Sequence, residues 1–270
     1  MPELPEIETL CRGMRLYLVG KTIIYPVIYN RYLKVPVSNE ISSIQDQKIL
    51  SVKRRARYIL IELPLGYMII HLGMSGSLRI VPLNTTPHKN DHIDLIINNR
   101  TILRYTDPRR FGMWLWSNNS PFTLDQIKNL GPEPLTEKFS GDYLFSQSRN
   151  KRIAVKSWLM DNKCVAGIGN IYSNESLFSA GILPIRRIST LNVEESQFLV
   201  KIIKKILREA IMLGGTSLRD FWQIDGKRGN FVNKLNVYSR TGKPCKKCGT
   251  LIKCIRYKQR STFFCCQCQS

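Results

Sequence analysis

Tyr67-Met68-Ile69-Ile70-His71-Leu72-Gly73-Met74-Ser75-Gly76-Ser77-Leu78-Arg79-Ile80-Val81 decides the fold class. Its ends are rich in Ile, Tyr and Val, and Gly73 and Gly76 punctuate the middle, so it reads as strand, turn, strand. Working outward, Thr22–Tyr29, Ile49–Leu63, Ile93–Ile97, Thr101–Tyr105 and Phe111–Trp116 have the same character, with Asn98-Asn99 as a hairpin turn between two of them. Upstream, residues 3 to about 18 read as a helix that lines up Ile7, Leu10 and Met14, with Pro2 and Glu3 suited to its first turn. The expectation is an α+β chain opening with a β-sandwich that carries an N-terminal helix, over residues 1–117.

Composition changes in 118–134, where three prolines and Gly131 mark a linker. Residues 135–225 are read as a helical domain, with helices at Gly141–Ser148, Arg152–Met160, Asn170–Ala180 and Val193–Met212. In the last of these Phe198, Ile202, Ile206 and Ala210 are spaced for one face, and Gly214-Gly215 closes it. Residues 226–270 form a basic loop followed by a cysteine module.

The net charge of +21 on 270 residues is the footprint of a polyanion-binding protein. Its distribution sharpens the point, because residues 226–270 hold eleven Lys or Arg and no Asp or Glu. No apolar run is long enough to span a membrane, and Glu3, Glu6 and Glu8 stand where a signal peptide would be basic and then apolar. An intracellular location follows, in which eight cysteines point to metal or free thiols rather than disulfides.

Cys245-x2-Cys248, sixteen residues, then Cys265-x2-Cys268 has the spacing of a closed four-thiolate zinc site, which is structural rather than catalytic. Leu251–Tyr257 and Ser261–Phe264 then form the arms of a β-hairpin finger around Lys258-Gln259-Arg260, with Arg260 at or near its tip. Cys254 and Cys266 are surplus, and Cys266 stands between two proposed ligands, so a scrambled ligand set stays open. With no acid nearby, the finger's charge favours contact with a DNA backbone.

The first residues carry the chemistry. Once Met1 is removed, Pro2 presents a secondary amine with Glu3 and Glu6 close by. An N-terminal amine has a reference pKa of about 7.7–8.0, against about 10.4 for lysine, so roughly a tenth is unprotonated at neutral pH. Such an amine attacks electrophilic carbon and leaves a charged iminium, while carboxylates move protons in the same step. In Ala166-Gly167-Ile168-Gly169-Asn170, two glycines open a helix whose first amides can hold a phosphate. Met74 on its glycine-flanked turn, and Arg109 and Phe111 in Asp107-Pro108-Arg109-Arg110-Phe111-Gly112, suit wedges that hold open a gap in a base stack, although Met74 and Phe111 also suit a core. No GxSxG, Walker A or HExxH sequence is present, which excludes the common serine hydrolase, P-loop and metalloprotease schemes.

The ordered set Pro2-Glu3-Leu4-Pro5-Glu6, His71–Gly76, Asp107–Gly112, Gly167–Asn170 and the four-cysteine finger closely resembles the bacterial formamidopyrimidine-DNA glycosylases over essentially the whole chain. The resemblance implies a bifunctional glycosylase and AP lyase of base excision repair, acting on double-stranded DNA that contains oxidised purines (8-oxoguanine, formamidopyrimidines) or abasic sites. By the same resemblance Pro2 attacks C1′ of a flipped nucleotide, Glu3 transfers protons as the sugar opens, Glu6 orders the pocket, and β,δ-elimination cuts the strand. Met74, Arg109 and Phe111 fill the gap and face the estranged base. Asn170, in a helix–two-turn–helix element, and Arg260 bind phosphate, with Arg260 also tied to δ-elimination, and Lys151 lies in a DNA-contacting basic run. One structural Zn2+, a monomer and a cytoplasmic, nucleoid-associated location complete the expectation.

Two positions depart from the family pattern. Arg57 stands where Lys is usual; it keeps the charge but does not readily give up a proton, which puts a proton-donor role in doubt. Asn90 stands where a DNA-contacting His is common and brings no charge, so weakened or retuned activity is expected. Two alternatives remain at this stage. One is an endonuclease VIII-like glycosylase for oxidised pyrimidines; the other is a non-catalytic zinc-finger DNA-binding protein, which retention of Met1 would favour.

Overall fold

The computed structural model describes the chain except residues 1, 99–100 and 218–222, so Met1 and Asn99 of the expected hairpin turn lie outside the described residues. Two compact units result: residues 1–129 with 213–232, and residues 130–212 with 233–270. The segment 213–232 therefore returns to the first unit after the longest helix of the second.

In the first unit, α1 (Leu4–Leu18) precedes β1 (Thr22–Ile28), β2 (Gln47–Lys48), β3 (Ser51–Arg55), β4 (Tyr58–Leu63), β5 (Gly66–His71), β6 (Ser77–Pro82), β7 (Asp91–Ile97), β8 (Thr101–Thr106) and β9 (Met113–Ser117). The strands form two antiparallel sheets, ordered β2-β1-β7-β8-β6 and β3-β4-β5-β9. One core joins both sheets and the helix, with Leu10 and Met14 of α1 packed among Ile59, Ile70, Leu95, Leu103 and Trp114. That is the expected sandwich with its N-terminal helix. Gly13 lets α1 lie close to Ile224, since a Cβ there would meet the Ile224 side chain at 2.5 Å.

Two expected runs are cut differently. Ile49–Leu63 splits at Ala56-Arg57, a tight turn between the paired Arg55 and Tyr58 in which Ala56 takes φ 52°. Phe111 is left out of β9 and remains exposed on the preceding turn. Residues 118–129 hold a 3-10 turn at Pro121–Thr123 and the short α2 (Asp125–Lys128).

The second unit contains α3 (Gly141–Ser148), α4 (Val155–Leu159), α5 (Asn170–Ala180) and α6 (Val193–Met212), then the hairpin β10 (Lys253–Tyr257) and β11 (Arg260–Phe264). Helix α6 spans the expected residues, but its buried face is rotated from the expected one. Leu199, Val200, Ile203, Leu207 and Ala210 are buried with Ile206, whereas Phe198 is exposed. Both α3 and α5 pack on α6, so the buried stripe must be wide and is set by two neighbours rather than one. Helix α5 is buried nearly all round, polar residues included, because its carboxylate and amide side chains bond the segments around it. Glu175 accepts main-chain N–H groups from Asn236 (2.9 Å), Val237 (2.9 Å) and Tyr238 (2.8 Å). The finger hairpin turns through Lys258 (φ 44°) and Gln259 (φ 60°), two left-handed residues as a type I′ turn requires. Tyr257 pairs with Arg260 across that turn. No helix among the described residues is long and apolar enough to cross a membrane.

Candidate active site and nucleic-acid interface

The N-terminal motif is fixed by one carboxylate. Glu3 caps α1 in an extended conformation, and its N–H donates to Oε2 of Glu6 at 2.8 Å. The other oxygen of Glu6 accepts the N–H of Thr216 at 2.7 Å, from the segment that returns to this unit. Pro2, Glu3 and Glu6 are all buried.

A second cluster surrounds the two turns read as wedges. Asp107 is fully buried and gathers both. Its carboxylate accepts from Ser75 Oγ at 2.6 Å, Tyr105 Oη at 2.9 Å and the N–H of Gly112 at 2.8 Å, with the N–H of Arg109 more distant at 3.3 Å. Burial and the neighbouring Asp107 carboxylate push the Tyr105 hydroxyl far up, so it remains a donor. His92 Nε2 donates to the Asp107 carbonyl at 2.8 Å. The turns also touch directly: a Cβ on Gly73 (φ 59°) would lie 2.4 Å from the Phe111 carbonyl oxygen. The structure leaves Phe111 outside the core. Phe111 is 42% exposed, Met74 is half-buried, and the Arg109 guanidinium stacks over the Phe111 ring at 4.7 Å.

Arg57 is buried on the β3–β4 turn, near His71. Burial first, then the charges of Arg57 and Lys34, hold His71 down to about 4. The ring lies tilted against Tyr58 with centroids 4.9 Å apart, and its Nδ1 accepts the N–H of Gly73 at 3.1 Å. A neutral imidazole that accepts at Nδ1 carries its proton on Nε2. Asn90 is half-buried on the turn before β7, and its carbonyl accepts the N–H of Asp107 at 2.9 Å.

In the second unit, Lys151 is exposed just after α3, Asn170 is half-buried as the first residue of α5, and Arg260 is exposed at the start of β11. Lys156 anchors the finger strand, with Nζ donating to the Ser261 carbonyl at 2.8 Å and Thr262 Oγ1 at 2.7 Å. Cys245, Cys248, Cys265 and Cys268 converge, with their sulfurs within 4.8 Å of one another. Cys248 and Cys265 stand 3.5 Å apart, and Cys245 and Cys268 4.0 Å. Four thiolates about 2.3 Å from a tetrahedral zinc stand roughly 3.8 Å apart, so this donor set fits one. Cys254 and Cys266 are exposed and outside the cluster, which removes the scrambled ligand set.

Asp107 lay within a quoted motif without a role, and Ser75, Thr216, Asn174 and Glu175 were not singled out by sequence reasoning. Their bonds reach distant segments, and no local spacing announces them.

The family model described as "Formamidopyrimidine-DNA glycosylase N-terminal domain" matches residues 1–114, and that of the "Formamidopyrimidine-DNA glycosylase H2TH domain" matches residues 130–221. The formamidopyrimidine-DNA glycosylase of Yersinia pseudotuberculosis serotype O:1b is 56% identical over 269 residues, covering 100% of both chains. The crystal structure of the Fpg protein from Thermus thermophilus superposes with a TM-score of 0.88 at 34% identity, over 99% of this chain and 98% of that one. The complex between Lactococcus lactis Fpg and abasic-site DNA gives a TM-score of 0.91 at 31% identity, over 100% of both.

Proposed function

The chain belongs to the formamidopyrimidine-DNA glycosylase family, and from that premise we propose that it is a bifunctional DNA glycosylase and AP lyase of base excision repair that excises oxidised purines. The observation that carries this reading is the bracket at the chain's start, where Glu6 ties the main chain of Glu3, the residue after the buried Pro2, to that of Thr216. With Met1 removed, the lone pair of Pro2 attacks C1′ of the damaged nucleotide and the N-glycosidic bond breaks. The base leaves with a proton, and Glu3 serves the ring oxygen as the sugar opens to an iminium. The iminium acidifies C2′. Loss of that proton expels the 3′ phosphate, and a second elimination expels the 5′ phosphate.

Met74, Arg109 and Phe111 fill the space that the flipped nucleotide vacates, and their partial exposure on turns locked by Asp107 supports this. Arg57, Asn90, Lys151, Asn170 and Arg260 bind the backbone, with Arg57 supplying charge rather than a proton. Cys245, Cys248, Cys265 and Cys268 hold one Zn2+, which keeps the finger folded and takes no part in the chemistry. The protein acts as a cytoplasmic monomer.

The test is borohydride trapping on a duplex that contains 8-oxoguanine. Trimmed, zinc-loaded protein becomes covalently joined to DNA, and Pro2→Gly largely abolishes the adduct. Absence of any reducible adduct overturns the reading, and a strong preference for thymine glycol over 8-oxoguanine overturns the purine assignment.

A further inference from the structure

Asn174, one turn into α5, has no counterpart in the chemistry above, yet it is fully buried and uses both ends of its amide. Its Oδ1 accepts the N–H of Phe263 in β11 at 2.9 Å. Its Nδ2 donates to the Asn170 carbonyl at 2.5 Å and reaches the Asn170 Oδ1 at 3.4 Å. The orientation of the amide is settled by its partners, because a main-chain N–H requires the oxygen and a carbonyl requires the nitrogen. All of these groups lie within the second unit.

The chemistry of a phosphate gives this bond a consequence. Phosphate oxygens only accept, so Asn170 must present Nδ2 to them. A side-chain amide turned the other way would offer an acceptor to an anion. By donating to the Asn170 Oδ1, Asn174 holds that oxygen inward and leaves Nδ2 as the end that donates outward. The same side chain fixes the main chain of β11 three residues from Arg260.

We propose that Asn174 is a positioning residue for DNA binding: it sets the amide of Asn170 in its donating orientation. The proposal rests on the reading of Asn170 as a phosphate contact.

The test is a double-mutant cycle on the zinc-loaded full chain, using Asn170→Ala, Asn174→Ala and the pair. The readouts are the dissociation constant for a duplex carrying a tetrahydrofuran abasic analogue, and KM and kcat on an 8-oxoguanine duplex. In the wild-type background Asn174→Ala weakens binding about fivefold, as expected for one lost hydrogen bond. KM rises and kcat changes little. In the Asn170→Ala background the same substitution changes binding less than twofold. Equal losses in both backgrounds overturn the proposal and leave Asn174 a merely structural group, and so does the absence of any loss.

Asn174→Asp guards against misfolding, since it keeps an acceptor for the Phe263 N–H but cannot donate to Asn170. Its added charge acts in both backgrounds, so the coupling between the two positions remains the readout. Loss of zinc in both variants assigns Asn174 to finger docking alone and overturns the proposal. Failure of the wild type to bind the lesion duplex instead overturns the functional reading beneath it.

Discussion

Glu6 Oε1 accepts the N–H of Thr216 at 2.7 Å across 210 residues of chain, while its other oxygen holds Glu3. One carboxylate thus fixes the helix start and the returning segment against each other, inside the unit that carries Pro2. Replacing Glu6 with Ala takes this acceptor from two buried N–H groups, at about 1–3 kcal/mol each. Glu6→Gln keeps a single acceptor and relieves only one of them. The expected order of thermal midpoints is wild type, Gln, then Ala. Borohydride trapping falls at least tenfold in Glu6→Ala even at temperatures where the protein remains folded.

Asp107 does comparable work for the two turns of the gap-filling set. Asp107→Ala leaves the Tyr105 hydroxyl and the Gly112 N–H without their acceptor in a buried site, and destabilises the protein by roughly 3 kcal/mol. Ser75→Ala removes one donor to the same carboxylate and costs about 1 kcal/mol. Denaturant unfolding measures both. Because Met74 and Phe111 sit on the turns these bonds hold, Ser75→Ala also slows excision of 8-oxoguanine more than it slows cleavage at a pre-formed abasic site.

Much of the molecule was legible in the sequence, for reasons that can be traced residue by residue. Helix α1 announced itself by the spacing of Ile7, Leu10 and Met14, and the finger by two Cys-x2-Cys pairs, because each signal is local and periodic. The reversal at Ala56-Arg57 was invisible because Arg55-Ala56-Arg57-Tyr58 contains no Gly, Pro or Asn; sheet pairing, not turn chemistry, imposes it. The buried face of α6 was misplaced because periodicity reports one stripe, whereas α3 and α5 together select a broader one that leaves Phe198 outside. The site residues chosen by motif occupy turns and helix starts, but the residues that hold them there, Asp107, Thr216 and Asn174, act through contacts between distant segments that spacing cannot report.

His71 gives the fold a pH dependence of known sign. Its folded pKa, about 4, lies below the unfolded reference of about 6.5, so the unfolded chain binds the extra proton first. The stabilisation is fully present above about 6.5 and is lost as pH falls toward 4. Allowing for partial exposure, the loss amounts to roughly 2 kcal/mol. Unfolding midpoints followed from pH 7 to 4 decline, and His71→Gln flattens that part of the curve. An NMR titration that places the His71 ring above 6 removes the effect.

Metal removal tests the finger as a folding unit. The hairpin β10–β11 is only two strands, and two-stranded hairpins are marginal in water. Its apolar support is a small cluster of Phe178, Val237, Ile252 and Phe263 around the buried Cys245 and Cys265. Such a cluster does not hold the hairpin when four thiols lose their common metal. Chelation therefore releases one zinc per chain and weakens binding to an abasic-analogue duplex about a hundredfold or more. The sandwich, whose core lies entirely in the first unit, keeps its own unfolding transition. Cys265→Ser reproduces the loss without chelator. Cys254→Ser and Cys266→Ser retain full zinc and near-normal binding, because both thiols are exposed and stand outside the cluster; loss of zinc in either would return them to the ligand set.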